Sequence, residues 1–214
     1  MNLEVESYTA SKNRLPRTGR QIIAQRSGDN MVVYQAYQPA IANYAVANQH
    51  FGGSAYSYER MSWIKPGFLW MMYRSGWAQK EGQERILAIW ISELHFKTIL
   101  SEAVLSTYNV TVHSSQLAWK QAMKARDVRL QWDPDHGPHG NKMERRAVQL
   151  GLKGNMLEQF GKNYVQRIED ITDFVNEQKA SLNKFGPDAL QVPVEQVIPI
   201  DDPQVRANVN ISAL

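Results

Sequence analysis

The fold of this chain is decided by one stretch, residues 60–77, which reads Arg-Met-Ser-Trp-Ile-Lys-Pro-Gly-Phe-Leu-Trp-Met-Met-Tyr-Arg-Ser-Gly-Trp. Its first residues, Met61–Ile64, favour a short strand, and Lys65 is biased toward extended backbone because a proline follows it. Pro66 suits the first turn of a helix, and Gly76 suits the position just past the end of one. The stretch therefore predicts a strand that leads directly into a helix.

Short strands and helices alternate irregularly on both sides of this stretch. The β-prone runs Ile22–Gln25 and Met31–Tyr37 flank a Ser-Gly-Asp-Asn turn and predict a hairpin. Further strands are predicted at 84–91, 128–132, 146–152 and 167–171, and further helices at 39–48, 95–106, 114–126, 156–164 and 172–184. Because no regular βαβ repeat is present, this order predicts an α+β fold: a small, mixed and mostly antiparallel sheet with flanking helices.

The chain is predicted to hold a single domain between two less regular ends. Residues 1–19 are polar and are expected to be a flexible lead-in, residues 20–186 form the domain, and residues 187–214 form an extended C-terminal segment. Within the domain, Asp133–Asn141 contains two Pro and two Gly in nine positions, which predicts a loop. Its two His and two carboxylates lack a helix or strand to preorganise them, so no metal site is predicted.

Composition excludes several classes of protein. The 214 residues include no Cys, which removes disulfides, thiolate metal sites and Cys nucleophiles. The longest purely apolar run, Ile86–Ile91, is far shorter than a membrane-spanning helix, and the N-terminus does not look like a secretory signal, so we expect a cytoplasmic protein with no membrane partner. A net charge of +3 permits a phosphate-bearing partner without requiring one, and the sequence leaves the oligomeric state open.

The standard nucleotide-binding and hydrolytic motifs are absent. No Gly-x-Gly-x-x-Gly follows a predicted strand, and no Gly-x-x-x-x-Gly-Lys-Ser/Thr occurs, which excludes the Rossmann and P-loop signatures. The Gly-x-Ser-x-Gly elbow of α/β-hydrolases is also missing. Any nucleotide site must therefore be built from other residues.

Residues 60–77 place charged and polar groups among many aromatic and apolar ones. Ser62, Lys65, Tyr73 and Arg74 stand out, because burying a charge without a partner costs several kcal/mol. A bound anion or nucleotide phosphate would be such a partner. The alternative is an internal carboxylate, for which the candidates are Glu59, Glu84 and Asp170.

The predicted hairpin raises a similar question. Arg20 precedes it, and Tyr34, Gln35 and Tyr37 lie on its second strand. Aromatic faces together with an amide suit a planar heterocycle, so these residues are candidates for a binding cleft. A half-exposed hairpin with no ligand is the alternative.

Several motifs resemble one uncharacterised family. They are Arg-Gln-Ile (20–22), Val-Tyr-Gln-Ala-Tyr (33–37), the block at 61–77, Gln-Trp-Asp-Pro (131–134), Gln-Leu-Gly-Leu (149–152) and Ile-Glu-Asp-Ile-Thr (168–172). Together they look like the family called domain of unknown function 4291 over about residues 20–185. That family name implies no activity.

The order of predicted strands also resembles, more weakly, compact ADP-ribosyltransferase folds that hold NAD. In those folds, residues on two strands hold NAD. The resemblance assigns Tyr34 or Gln35 to the NAD-binding position on the first of these strands, and Ser62 to that on the second. It assigns Gln149 to the position of the catalytic glutamate. The chain departs from the pattern at Gln35, where a histidine is common, and at Gln149. An amide cannot take up a proton as a carboxylate does, although it can orient a ribose hydroxyl. Another carboxylate, such as Glu144, is an alternative acid.

The first hypothesis is therefore an ADP-ribosyltransferase-like enzyme that uses NAD. The cations expected to hold the NAD pyrophosphate are Arg20, Lys65 and Arg74. The rings expected to stack on the ligand are Tyr34, Trp63 and Tyr73. The candidate catalytic residues are Gln149, Ser62 and Gln35. The alternatives are a nucleic-acid-binding or processing module, and a non-catalytic nucleotide-binding protein.

Overall fold

The computed structural model describes residues 2–212, which contain eleven strands and eight α-helices. The strands are β1 (Val5–Ser7), β2 (Ile23–Ser27), β3 (Asn30–Tyr37), β4 (Ser62–Ile64), β5 (Arg85–Ser92), β6 (Ala103–Leu105), β7 (Val128–His136), β8 (Lys142–Leu152), β9 (Val165–Asp170), β10 (Gln191–Pro193) and β11 (Glu195–Val197). The α-helices are α1 (Tyr8–Arg14), α2 (Pro39–Asn48), α3 (Phe68–Ser75), α4 (Glu93–Ser101), α5 (Gln116–Ala125), α6 (Gly154–Gln159), α7 (Thr172–Phe185) and α8 (Pro203–Asn208). A π-helical turn (Phe160–Tyr164) follows α6, and a 3₁₀ turn (Pro187–Ala189) follows α7.

The strands form two larger sheets and one small ribbon. One sheet has the order β11-β2-β3-β5-β9, the other has the order β4-β8-β7-β6, and β1 pairs with β10. Among these strand pairs, β6 with β7 is parallel and the others are antiparallel. The predicted α+β class with mostly antiparallel strands is thus confirmed.

Strand β5 runs through the centre of the molecule and is buried on both faces. Leu87, Ile89 and Ile91 point into one apolar cluster, whereas Ile86 and the intervening residues point into another. Side chains alternate between the two faces of a strand, so an almost continuous apolar run is needed here. This explains why the sequence of β5 shows no polar–apolar alternation.

The two larger sheets meet where β3 passes the end of β4. Tyr34 N–H donates to Lys65 O at 2.7 Å, and Lys65 N–H donates to Tyr34 O at 3.1 Å. This pair of backbone hydrogen bonds places β3, β4 and β8 side by side. The strand-to-helix unit predicted from residues 60–77 therefore lies at the junction of the two sheets, and Gly76 ends α3 in the left-handed conformation, as predicted.

Two predicted segments are wrong. The helix predicted at 95–106 ends at Ser101, and its last residues instead form β6, which packs in the core beside β7. The loop predicted at Asp133–Asn141 begins only after His136, because β7 continues through Pro134. β6 pairs with β7 only as far as Leu130, so beyond that residue this edge of β7 has no strand partner. Pro134 lies beyond Leu130, and its missing N–H therefore removes no hydrogen bond between strands.

The two ends of the chain pack on the domain. Residues 1–19 were expected to be flexible, and within them β1 pairs with β10 from the C-terminal segment and α1 follows β1 directly. Ser7 caps α1 by accepting from Ala10 N–H at 3.2 Å. None of the helices within residues 2–212 has the length and apolar character needed to cross a membrane.

Candidate functional site

A cleft of about 750 Å³ opens at the junction of β3, β4 and β8. Six residues proposed from the sequence line it together: Gln35, Ser62, Trp63, Lys65, Arg74 and Gln149. They come from four elements and the turn after β4, and the backbone bonds between β3 and Lys65 bring these elements together. The volume is within the usual range of small-molecule binding sites.

A hydroxyl–amide network forms the floor of the cleft. Gln35 Nε2 donates to Ser62 Oγ at 2.7 Å and to Trp63 O at 3.2 Å. The Tyr37 hydroxyl lies 2.6 Å from Ser62 Oγ, and burial raises the pKa of Tyr37 to about 12. Ser62 is thus held between an amide and a phenol that stays protonated at neutral pH. An oriented hydroxyl of this kind can hydrogen-bond to a sugar hydroxyl.

Three cations lie on the walls. Lys65 is only 5% exposed and donates to Trp63 O at 3.3 Å, whereas Arg60 and Arg74 are exposed at the mouth. Burial, together with the nearby charge of Arg74, lowers the pKa of Lys65 to about 8, although Asp133 acts in the opposite sense. None of the three forms an ion pair within residues 2–212, and the described lining contains no Asp or Glu. The internal carboxylates considered as partners from the sequence are therefore not used.

The far wall is built from two amides that share one carboxylate. Gln131 and Gln149 are directly opposite each other on β7 and β8. Gln131 Nε2 donates to Asp133 Oδ1 at 2.8 Å, and Gln149 Nε2 donates to Asp133 Oδ2 at 2.7 Å. The amide nitrogen of Gln149 is committed to Asp133, which leaves its Oε1 as the atom available to a ligand. A hydrogen bond to a carboxylate also polarises the amide and makes that oxygen a stronger acceptor.

Trp63 lies over β8 at a position where no side chain fits. Trp63 and Gly151 are directly opposite each other, and a Cβ added to Gly151 would lie 2.9 Å from the indole ring and 2.7 Å from Met61 Sδ. The glycine lets the indole settle against the backbone of β8. The Gly of the Gln-Leu-Gly-Leu motif thus shapes the cleft wall through Trp63.

Three of the predicted binding residues lie elsewhere. Tyr34 is fully buried on the opposite face of β3, where its ring packs edge-on against Phe68 with 5.6 Å between centroids. Tyr73 stacks on His136 at 3.5 Å between centroids, on the outside of α3. Arg20 donates from Nε to Asn210 O at 2.6 Å and lines a separate, smaller cleft. Their predicted place in the cleft is wrong, and the exposed Glu144 does not line it either.

Two residues that shape the cleft, Tyr37 and Asp133, are not among the NAD-binding and catalytic residues proposed from the sequence, although Tyr37 is a candidate on the hairpin. Tyr37 lines the cleft because it lies two positions after Gln35, and residues two apart share a strand face. Choosing Gln35 as a site residue therefore favours Tyr37 over Tyr34. By contrast, Asp133 acts through a strand pairing that no local pattern in the sequence specifies.

Comparison with known protein families agrees with the motif resemblance. The model of the family described as Domain of unknown function (DUF4291) matches residues 21–198, which is most of the chain. The chain belongs to this family. The match spans all strands of the two larger sheets and every cleft residue described above. No curated protein matches the chain.

Proposed function

We propose that the cleft binds NAD and that the protein is an ADP-ribosyltransferase-like enzyme. The observation that carries the proposal is the buried Lys65, which forms no ion pair within residues 2–212, in a cleft whose described lining adds two further cations and no Asp or Glu. A buried charge without a carboxylate partner destabilises the folded protein unless a ligand supplies the counter-charge. A pyrophosphate would do so through charge-assisted hydrogen bonds to Lys65 and Arg74.

The remaining groups suit the other parts of NAD. The Trp63 ring on one wall and the Tyr56 and Tyr37 rings on another offer faces or edges for a planar heterocycle. Ser62, oriented by its network, can hydrogen-bond to one ribose hydroxyl, and Gln149 Oε1 can accept from another.

In the proposed reaction the bond between ribose C1′ and the nicotinamide nitrogen breaks, and nicotinamide leaves with the electron pair. The acceptor nucleophile forms a new bond to C1′ and releases its proton to solvent. The sugar passes through an oxocarbenium-like state, and a group that stabilises this positive charge accelerates the reaction. Gln149 Oε1, polarised by Asp133, would supply partial negative charge at the position that the resemblance gives to the glutamate of ADP-ribosyltransferases.

The arrangement of strands supports the fold part of the proposal. The resemblance to ADP-ribosyltransferases assigns roles to the strands that carry Gln35, Ser62 and Gln149, and these strands, β3, β4 and β8, are neighbours around the cleft. A cytoplasmic location, where NAD is available, is part of the same proposal.

The test is a titration of NAD into the protein, with nicotinamide release measured in parallel. We expect binding below millimolar NAD and at least tenfold weaker binding in Lys65→Met, because a hydrogen bond between two charged groups contributes about 1.5–3 kcal/mol. Lys184→Met is the matched control, since Lys184 is exposed at the end of α7 and lies outside the cleft. Absence of binding by the folded protein at millimolar NAD would refute the proposal.

One observation favours a second candidate, a non-catalytic nucleotide-binding protein. The residue in the place of the catalytic acid is Gln149, which cannot exchange a proton at neutral pH. The same titration separates the two candidates: the enzyme binds NAD and releases nicotinamide, whereas the binding protein binds a nucleotide and releases none.

A further inference from the structure

A second cleft, of about 340 Å³, lies at the edge of β7, beside Leu130, Gln131 and Trp132. β6 pairs with β7 only as far as Leu130, and beyond that point the chain turns away through Ser106 and leaves the edge of β7 open. Gln131 of β7 lines both clefts. Ligands bound in the two clefts would therefore both lie near Gln131.

The second cleft repeats the chemistry of the first. It is lined by two guanidinium groups, Arg20 and Arg146, and by the rings of Tyr108 and Trp132. As in the first cleft, no Asp or Glu is part of the described lining. Guanidinium groups bind phosphate through paired N–H donors, and exposed rings stack on bases.

The two guanidinium groups are available in different ways. Arg20 is held in place because its Nε donates to Asn210 O at 2.6 Å and its Nη2 donates to Asn210 Oδ1 at 3.2 Å. Arg146 is exposed and forms no ion pair within residues 2–212. Its backbone N–H donates to Gly19 O at 2.8 Å, so the fold uses its main chain and leaves its side chain to a ligand.

The Trp132 ring is fixed as well. Its Nε1 donates to Val209 O at 2.7 Å, which prevents the indole from rotating. Tyr108 packs at 6.2 Å between centroids against Trp119 of α5. The same helix carries the exposed Lys120 and Lys124, which form no ion pair within residues 2–212. Helix α5, which contacts Tyr108 through Trp119, thus carries two exposed positive charges.

We propose that the second cleft binds one nucleotide unit of a single-stranded nucleic acid, with its phosphate at Arg146 and Arg20 and its base against Trp132. A cleft of this size takes one unstacked nucleotide, which a duplex does not offer. The acid-free lining favours a polyanion over a protein segment. That this strand is the acceptor of ADP-ribose rests on the function proposed for the first cleft; the binding itself does not.

The test uses fluorescein-labelled 12-nucleotide oligo-dT and oligo-rU, titrated with the protein by fluorescence anisotropy between 50 and 200 mM salt. We expect at least one of the two to bind, and Arg146→Ala to weaken that binding several-fold. The variant should also lower the slope of log K against log salt by about 0.7, the contribution of one phosphate contact on a single strand. Lys184→Ala removes an exposed charge outside the lining of the second cleft, and it should change neither the affinity nor the salt slope.

Three results would overturn the inference. The first is no binding of either oligonucleotide at 50 mM salt, and the second is an unchanged affinity and salt slope in Arg146→Ala. The third is binding that is lost in Lys65→Met and displaced by NAD, which would place the strand in the first cleft. NAD binding is titrated separately on the same preparations, so a protein that binds oligonucleotide through Arg146 but does not bind NAD supports this inference while refuting the proposed function.

Discussion

Replacing Lys65 by methionine should make the protein more stable and a poorer NAD binder at the same time. The side chain lies in the cleft with 5% of its surface exposed, and its ammonium group donates one hydrogen bond, to Trp63 O. Methionine has a similar length and no charge, so it fills the same space without the cost of desolvating an ammonium group.

The size of the effect follows from the pKa. Burial lowers the pKa of Lys65 from its usual 10.5 to about 8, and each pKa unit corresponds to 1.36 kcal/mol. Keeping the charge in the folded protein at pH 7 therefore costs about 3 kcal/mol. Loss of the hydrogen bond to Trp63 O lowers this gain in stability by about 1 kcal/mol. We therefore expect Lys65→Met to raise the free energy of unfolding by about 2 kcal/mol.

The pH dependence has a definite sign. The pKa is lower in the folded state than in the unfolded state, so the wild type is penalised below pH 8 and gains stability as the pH rises from 8 to 10.5. The free energy of unfolding of Lys65→Met therefore exceeds that of the wild type by its largest amount at pH 7, and this difference shrinks between pH 8 and pH 10.5. Chemical denaturation of both proteins at several pH values measures it.

Two outcomes would refute this reasoning. If Lys65→Met is less stable than the wild type at pH 7, the ammonium group is a structural part of the fold. If the variant is more stable but binds NAD as tightly as the wild type, the charge does not contact the ligand. Lys184→Met controls for the general effect of losing a positive charge.

Further predictions concern the cleft walls. NAD affinity should fall about tenfold between pH 7 and pH 9 in the wild type, because Lys65 must regain a proton to bind the anion; an equal fall in Lys65→Met would contradict this. Gly151→Ala should cost about 1–3 kcal/mol of stability and weaken NAD binding, since the new Cβ would displace the Trp63 indole, 2.9 Å away; unchanged affinity would show that this ring does not touch the ligand. Asp133→Asn should slow nicotinamide release at saturating NAD at least several-fold, because Gln149 loses its polarising partner; an unchanged rate would show that Asp133 takes no part in the reaction.

Local sequence patterns identified the cleft residues where a strong element fixes the geometry. The 60–77 block specifies a strand, a turn and a helix, so Ser62, Trp63, Lys65 and Arg74 were placed together by local rules. The strand with Gln149 was also clear, but its position next to β4 depends on pairing across many residues, which local periodicity does not encode.

The failures have equally local causes. Tyr34 and Gln35 are neighbours on a strand, and because adjacent side chains point to opposite faces, only one of them could reach the cleft. Tyr73 lies on the opposite side of α3 from the cleft, although Arg74 follows it directly. β6 was hidden because three apolar residues after a helix read as more helix until the parallel partner β7 is known.

The most direct test of the NAD-binding cleft is proton uptake at pH 8. With a pKa of about 8, Lys65 is half protonated in the free protein, and a bound pyrophosphate would make its protonation complete. Calorimetric NAD titrations in buffers of different ionisation enthalpy should show uptake of about half a proton per NAD bound by the wild type, and none by Lys65→Met. Binding of NAD with no proton uptake by the wild type would contradict the account. The ligand would then lie away from Lys65, the buried cation of the described cleft lining.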